Sequence, residues 1–498
     1  MLSRRRMVEL TGAAALASGM GTFARAEMPA HSQLPAPQNQ PGPAGGTADY
    51  TIHIGTSLVD LGPETTVSTK TYNGRFPGPL LRLTEGKRVV IDIYNDTETP
   101  EQLHWHGQFL PPEVDGAAEE GTPYIPARGM RRISFVPGPS GFRFFHTHLA
   151  ARTDLSLGLY NGEIGLVYIE PRHDAGAYDR EIFLTLKEFS PYLSHTEMPH
   201  DFLAPANFVP GLKTEAQAAL DAALKRGLPP GYELAYNYFS VNGRMLGEGE
   251  PIRVRQGERV LFHVLNASAS EIRSLALPRH SFRVIALDGN PVPRAAEVPV
   301  LWLGPAERIS AIVEMKQPGV WVLGDVNDED RNRGMGAVIE YAGLGGKPQW
   351  TKPAPFHWDY RLFAKPGAAP SRPDQIITLK FSVTSGARQG FDEFAINGLP
   401  FSMEKMEPRF RLTRGRRYRL LLRNATDDIH PLHLHRNSFE LTSIAGAPTA
   451  GVIKDVAMIG AFQEMTVDFT AERTGLSLFH CHMQQHMDFG FMALFDCQ

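Results

Sequence analysis

Residues 81–95 read LRLTEGKRVVIDIYN, residues 252–266 read IRVRQGERVLFHVLN, and residues 410–424 read FRLTRGRRYRLLLRN. Each copy has a short apolar run, a turn on a glycine (Gly86, Gly257, Gly415) and a second run. An asparagine follows nine residues after that glycine (Asn95, Asn266, Asn424). The runs are rich in Val, Ile, Leu, Phe and Tyr, and several alternate apolar with polar positions, the period of a half-buried strand. An Asn-Gly pair precedes each copy, at Asn73-Gly74, Asn242-Gly243 and Asn397-Gly398. Both residues tolerate the positive φ angles of a tight β turn. Copies 171 and 158 residues apart are too widely spaced for a solenoid, whose repeats run roughly 20–50 residues. They fit three homologous β domains of sandwich size.

Composition agrees. The 498 residues make room for about three domains at ~100–200 residues each. With 42% hydrophobic residues, 21% charged, 47 Gly and 39 Pro, the chain favours turn-rich β architecture over helical bundles. A net charge of −4 gives no long-range reason to bind nucleic acid or an anionic membrane. Two cysteines cannot build a disulfide framework, and no segment past the N-terminal region offers the ~20 apolar residues of a membrane span.

The N-terminus has the order of a secretory signal: Ser3-Arg4-Arg5-Arg6, an Ala/Gly-rich apolar stretch over 10–23, then Ala24-Arg25-Ala26. The paired arginines resemble a twin-arginine signal, which implies a bacterial protein handed folded to the Tat export machinery and located in the periplasm or secreted. The expected organisation is a signal over 1–26, a flexible lead over 27–48, and sandwiches over 49–172, 178–343 and 374–498, with a linker over 344–373. One segment breaks the β pattern. Residues 214–228 read TEAQAALDAALKRGL, with Thr214 and Gln217 spaced as a capping box and Gly227 as a stop. Ala216, Ala219, Leu220, Ala223 and Leu224 share one face, so a short amphipathic helix is expected to pack on the second sandwich.

Four clusters hold ten of the 18 histidines: His104-Trp105-His106, His146-Thr147-His148, His430-Pro431-Leu432-His433-Leu434-His435, and His480-Cys481-His482 with His486. On a strand, residues i and i+2 point to one face, so each H-x-H aims two imidazoles together. Eight paired imidazoles exceed one tetrahedral site and suit several ions. Two pairs fall in the first repeat and two in the third, which places the cluster between those domains. The middle domain continues from Asn266 with Ala267-Ser268, holds past that point only an isolated His280, and reads as a spacer. His430, Cys481 and His486 are left over, and His₂Cys is the ligand set of a blue-copper electron-transfer site. Cys481 lies between two cluster histidines, a short covalent route for electrons. Imidazole-rich ligation fits copper better than magnesium, calcium or manganese, and zinc has no redox chemistry for such a bridge to serve.

These motifs, in this order on three β domains, resemble the multicopper oxidase family, in its three-domain bacterial laccase-like branch. The resemblance spans about residues 49–498. It implies an all-β chain of three consecutive cupredoxin-like Greek-key β-sandwiches holding four copper ions. By that resemblance type 1 copper takes His430, Cys481 and His486, and type 2 takes His104 and His433. The type 3 pair takes His106, His146 and His482 on one ion and His148, His435 and His480 on the other. It further implies one-electron oxidation of phenolic or aromatic-amine donors, with O₂ reduced to water. His486 is the implied entry point for electrons, and Asp115 is the carboxylate that helps deliver protons.

The chain also departs from the family pattern. The axial position of type 1 copper, ten residues after Cys481, holds Phe491, where many bacterial relatives place Met; a one-residue slip would bring in Met492 instead. Met487 stands where several relatives carry Glu in a proton path, and either Asp488 substitutes or the path differs. The second pair is His-Thr-His rather than His-Ser-His, and the run over 150–158 (AARTDLSLG) is unlike the common pattern. The 16 methionines are scattered, Met403 and Met406 coming nearest to a group, which favours organic donors over cuprous ions. Two readings compete with the laccase-like one: a cuprous or manganous ion oxidase, and an exported copper-binding or assembly protein with little turnover. The sequence leaves the oligomeric state open.

Overall fold

Each of the three repeats is a corner between two sheets. The computed structural model describes residues 46–171, 178–194 and 208–498, so the signal reading over 1–26 and most of the 27–48 lead lie outside the described residues. Leu80–Thr84 pairs with Ile164–Glu170, whereas Val89–Asn95, past the turn, pairs with Tyr50–Gly62 and Met130–Phe135 in the facing sheet. Ile252–Val254 and Arg259–Asn266 divide between sheets the same way, as do Phe410–Leu412 and Arg417–Asn424. Gly86, Gly257 and Gly415 have φ of 77°, 84° and 80°, a left-handed backbone that glycine reaches without steric cost. The outcome is three consecutive β-sandwiches, four strands on four in the first and six on five in the second and third. The Asn-Gly turns carry positive φ at both residues, 54° and 68° at Asn73-Gly74 and similarly at the other two.

The repeated asparagine is a knot. Asn95, Asn266 and Asn424 are buried. Each donates its amide to carbonyls of the following loop and of a distant strand end, as Asn424 does to Asp428 O (2.7 Å) and Gly460 O (3.0 Å). Each also accepts the amide two residues on, at 2.9–3.0 Å. The knot fixes where the next strand starts. Nine residues beyond it stand His104, Leu275 and His433, and these face His146, Asp325 and His480 on the neighbouring strand. The middle domain thus has the same strand with Leu275 and Leu277 in place of an H-x-H.

Two expectations need correction. The helix runs Pro210–Lys225 with Val209 as its N-cap, so Thr214 and Gln217 lie inside it and form no capping box. Thr214 Oγ1 donates instead to Pro210 O, one turn back, at 3.1 Å. Pro210 supplies the start, since a proline in the first turn sacrifices only an amide that has no helical partner. Gly227, at φ 72°, does follow its end. The helix packs on Gln375–Arg388 of the third sandwich, with Glu215 paired to Lys380 at 2.8 Å. Leu212 and Ala223 are buried there, while Leu220 and Leu224 stay 40% and 55% exposed. The 344–373 segment is anchored by buried Trp358, Tyr360 and Phe363, with the Tyr360 hydroxyl bonded to Glu307.

Candidate metal centre

The strand His104–His106 runs antiparallel to Gly141–His146, and His430–Leu434 runs antiparallel to Gly475–Cys481. His104 stands opposite His146 and His433 opposite His480, so each two-strand ladder presents imidazoles from both its strands. His148, His435 and His482 fall just beyond the strand ends. The ladders come from the first and third sandwiches and interleave: His106 stacks on His433 (centroids 3.9 Å apart) and His104 on His435 (4.0 Å). All eight paired imidazoles are buried. Those of His106, His146 and His482 form one triangle, with centroids 5.1–5.7 Å apart. Those of His148, His435 and His480 form a second, at 5.0–5.5 Å. His104 and His433 lie 5.8 Å apart.

Hydrogen bonds on the outer side decide which nitrogens face inward. The Nδ1 atoms of His104, His146, His433 and His480 meet the carbonyls of Asp115, Thr147, Asp455 and Cys481 at 2.7–2.9 Å. A neutral imidazole has one N–H and one lone pair, so these contacts turn each Nε2 lone pair to the interior. His106 is reversed: its Nε2 meets Asp455 Oδ1 at 3.2 Å, which leaves Nδ1 inward. Among the described residues, His104 Nε2, His146 Nε2, His433 Nε2, His106 Nδ1 and both nitrogens of His482 have no hydrogen-bond partner. An orphaned buried acceptor costs about 1–3 kcal/mol, and a cluster of them fits cations. Burial, then the neighbouring imidazoles, hold His106, His435 and His482 well below the ordinary histidine range, so the lone pairs are free of protons.

A second group lies beside it. Cys481 Sγ is 3.7 Å from His430 Nδ1 and 3.5 Å from His486 Nδ1, and the two nitrogens are 3.1 Å apart. Burial pushes the Cys481 thiol up, so a thiolate there needs a cation beside it. The other cysteine, Cys497, is buried with its thiol toward Ala471 O, and the two form no disulfide. His486 is half-buried, the most exposed of this trio.

Strand alternation separates the two candidates for the axial position. Phe491 is fully buried, with its ring 4.7 Å from that of His430. Met492 belongs to another apolar cluster with Phe401, Leu478, Met487 and Leu494. Asp488 uses both carboxylate oxygens on N–H groups, accepting from Ala151 (2.9 Å), Arg152 (2.6 Å) and Gln484 (3.0 Å). The unusual 150–158 run is therefore what holds Asp488.

Asp115 is buried with Oδ2 3.1 Å from His104 Nδ1 and 3.0 Å from His435 Nδ1. Three further acids that the sequence reading passed over stand with it. Glu120 Oε1 lies 3.4 Å from His435 Nδ1, Glu119 Oε2 lies 3.5 Å from His148 Nδ1, and Asp455 meets His106. One signal was available for Asp455: a Lys-Asp pair inside the otherwise apolar VIKDVAMI. Thr426, whose Oγ1 is 2.7 Å from His430 Nε2, had none.

Residues 54–174, 213–343 and 372–498 each match a family model described as multicopper oxidase. The multicopper oxidase MmcO of Mycobacterium tuberculosis is 29% identical over 464 residues, covering 91% of this chain and 88% of that one. Among solved structures, Fet3p, a multicopper oxidase that functions in iron import, superposes with a TM-score of 0.71 at 18% identity, over 90% of each chain. The laccase of Botrytis aclada gives the same TM-score at 18% identity, over 90% of this chain and 87% of that one. At such identities these two structures speak to the fold, three cupredoxin-like domains.

Proposed function

Since the chain belongs to the multicopper oxidase family, whose members are copper oxidoreductases that use O₂, we propose that it is a laccase-like member taking electrons from phenolic or aromatic-amine donors. The observation that carries this reading is the pairing of two buried ligand groups, eight inward imidazoles and a His₂Cys trio, joined through Cys481. In this reading His430, Cys481 and His486 hold type 1 copper, and His104 and His433 hold type 2. His106, His146 and His482 hold one type 3 ion, and His148, His435 and His480 the other. Bound there, copper would supply the one-electron redox chemistry that couples donor oxidation to reduction of O₂ to water.

The protein's own part is positional. His486 is the half-buried ligand, and the donor meets its edge. Phe394 lies 4.2 Å from the His486 ring, Phe489 stacks on Phe391 with centroids 4.6 Å apart, and Tyr232 meets Phe391 edge-on at 5.2 Å. Phe394 and Phe391 are buried, so of these four rings Phe489 and Tyr232 are the partly exposed ones that support a flat organic donor. Cys481 links this group to His480 and His482 through the backbone. Asp115 takes the Nδ1 proton of His104 through its carbonyl and that of His435 through Oδ2, and the adjacent Glu120 extends the carboxylates available to accept and return a proton.

The test is a copper count on the purified, reconstituted chain together with O₂ uptake supplied in turn with a phenol and with Cu(I). Four coppers, a blue thiolate absorption and phenol-driven uptake are expected. Uptake with Cu(I) alone would replace this reading with a metal-ion oxidase, and copper without turnover would replace it with a binding protein.

A further inference from the structure

Asp455 sits where the three sandwiches meet. Both of its oxygens accept from the Arg308 guanidinium, each at 2.6 Å, and Arg143 Nη1 approaches Oδ2 at 3.5 Å. Arg143 comes from the first sandwich, Arg308 from the second and Asp455 from the third, and none of the three is exposed to solvent. Behind them Lys454 Nζ lies 2.9 Å from Asp288 and 3.0 Å from Glu307. Asp288 in turn accepts the amides of Asp455 and Val456 at 3.2 and 3.1 Å. Three cations thus balance three carboxylates.

A buried ion set of this kind is weak evidence of stability, because well-packed apolar residues often do as well. It calls for another reason. The front of Asp455 supplies one. Its Oδ1 meets His106 Nε2 at 3.2 Å, and its carbonyl accepts from His433 Nδ1 at 2.7 Å. Those are the two stacked rings at the centre of the imidazole cluster, one from each flanking domain. Gly107, next to His106, has φ 75°, and a Cβ there would come within 2.5 Å of Asp455 Oδ2 and 2.8 Å of Arg308 Nη2. The ion set occupies the space a side chain would need.

We infer that Arg308 of the middle domain is a positioning residue for the cluster. It holds the Asp455 carboxylate in the one orientation that keeps the His106 proton on Nε2 and the Nδ1 lone pair inward, and with it the carbonyl that orients His433. The planar fork of arginine matches both carboxylate oxygens at once, which a lysine ammonium does not. The middle domain, without a single H-x-H, thereby acts on ligands of both its neighbours. The inference rests on the copper reading above.

The test uses the full chain, apo and copper-reconstituted, as wild type, Asp455→Asn, Arg308→Lys and Glu307→Gln. The last alters the same ion set away from the histidines. Loss of an outer hydrogen-bond partner typically lowers metal affinity about 10- to 100-fold, so Asp455→Asn and Arg308→Lys should load the cluster poorly while the blue absorption of the Cys481 site persists. Glu307→Gln should load as wild type. In ¹⁵N-histidine spectra of apo protein, with His106 assigned by its own substitution, the wild-type proton should sit on Nε2 and the Asp455→Asn ring should change tautomer. Full loading in Asp455→Asn, equal losses in Glu307→Gln, or a wild-type His106 proton on Nδ1 would each overturn the inference. Should a variant fail to fold, the wild-type tautomer still decides. A wild type that takes up no copper would sink the functional reading, and the apo spectra would judge the Arg308–Asp455–His106 arrangement separately.

Discussion

Phe491→Met places a thioether against the Cys481 group, and its consequences are calculable. The wild-type ring is fully buried, 4.7 Å from His430, 4.9 Å from Phe381 and 5.8 Å from Phe394. Aromatic pairs add roughly 0.5–1.5 kcal/mol each beyond area burial. Methionine restores most of the volume, and swaps that conserve volume usually cost under about 1.5 kcal/mol. The expected loss of stability is therefore about 1–3 kcal/mol, since the pairs are not additive. Against that loss, an axial thioether that prefers the oxidised ion by tenfold lowers a one-electron potential by about 59 mV. A preference of ten- to a hundredfold gives a fall of about 60–120 mV. A redox titration followed at the blue absorption reads the potential, and thermal unfolding reads the stability. Met492→Leu is the control. It lies on the opposite face with Phe401 and Leu494 and should leave the potential where it was. If Met492→Leu moves the potential and Phe491→Met does not, the assignment of faces is wrong.

Cys481→Ser is nearly isosteric and should abolish the blue absorption and donor oxidation while the far-ultraviolet circular dichroism stays that of the wild type; retained turnover would refute the link through Cys481. Gln484→Leu removes an acceptor for Leu159 N (2.9 Å) and donors to Leu149 O (3.1 Å) and Asp488 (3.0 Å). At about 1–3 kcal/mol for each buried group left unpaired, it should lower the stability of the apo protein by several kcal/mol, and an unchanged melting temperature would contradict this. His263 is held down at about 3 by burial, with Arg82 adding to the effect, against an ordinary 6.5. Between those values the unfolded chain binds a proton that the native ring excludes. The stability from this group is therefore complete above pH 6.5 and falls as pH drops toward 3. From pH 7 to pH 4 denaturant titrations of the apo protein should show the wild type losing about 3 kcal/mol more than His263→Gln; parallel curves would refute the shift.

The sequence disclosed what local periodicity controls. An H-x-H on a strand declares its own geometry, so the eight imidazoles and the Cys481 bridge were legible, as were three domains from three repeats. What escaped depends on distant partners. Asp455 meets Arg308 across 147 residues and Arg143 across 312, and no local pattern announces that. The two runs of each repeat look like neighbours, yet each pairs with strands elsewhere. The helix start was missed because Pro210-Gly211 resembles a break, although proline is compatible with a first turn. The helix docks on the third sandwich with only Leu212 and Ala223 of its residues buried, and nothing in its own sequence distinguishes one sheet from another.

The division of ligands between the two ends of the chain also orders events in time. His148 precedes His430 by 282 residues, and at about 5–20 residues per second a ribosome needs roughly 15–55 s to cover that interval. For that period the first sandwich carries four imidazoles with no facing ladder, an open half-site. The second half arrives with the final strands, Gly475–Cys481 and Met492–Cys497. The complete ligand set therefore exists only once both halves have been made and brought face to face.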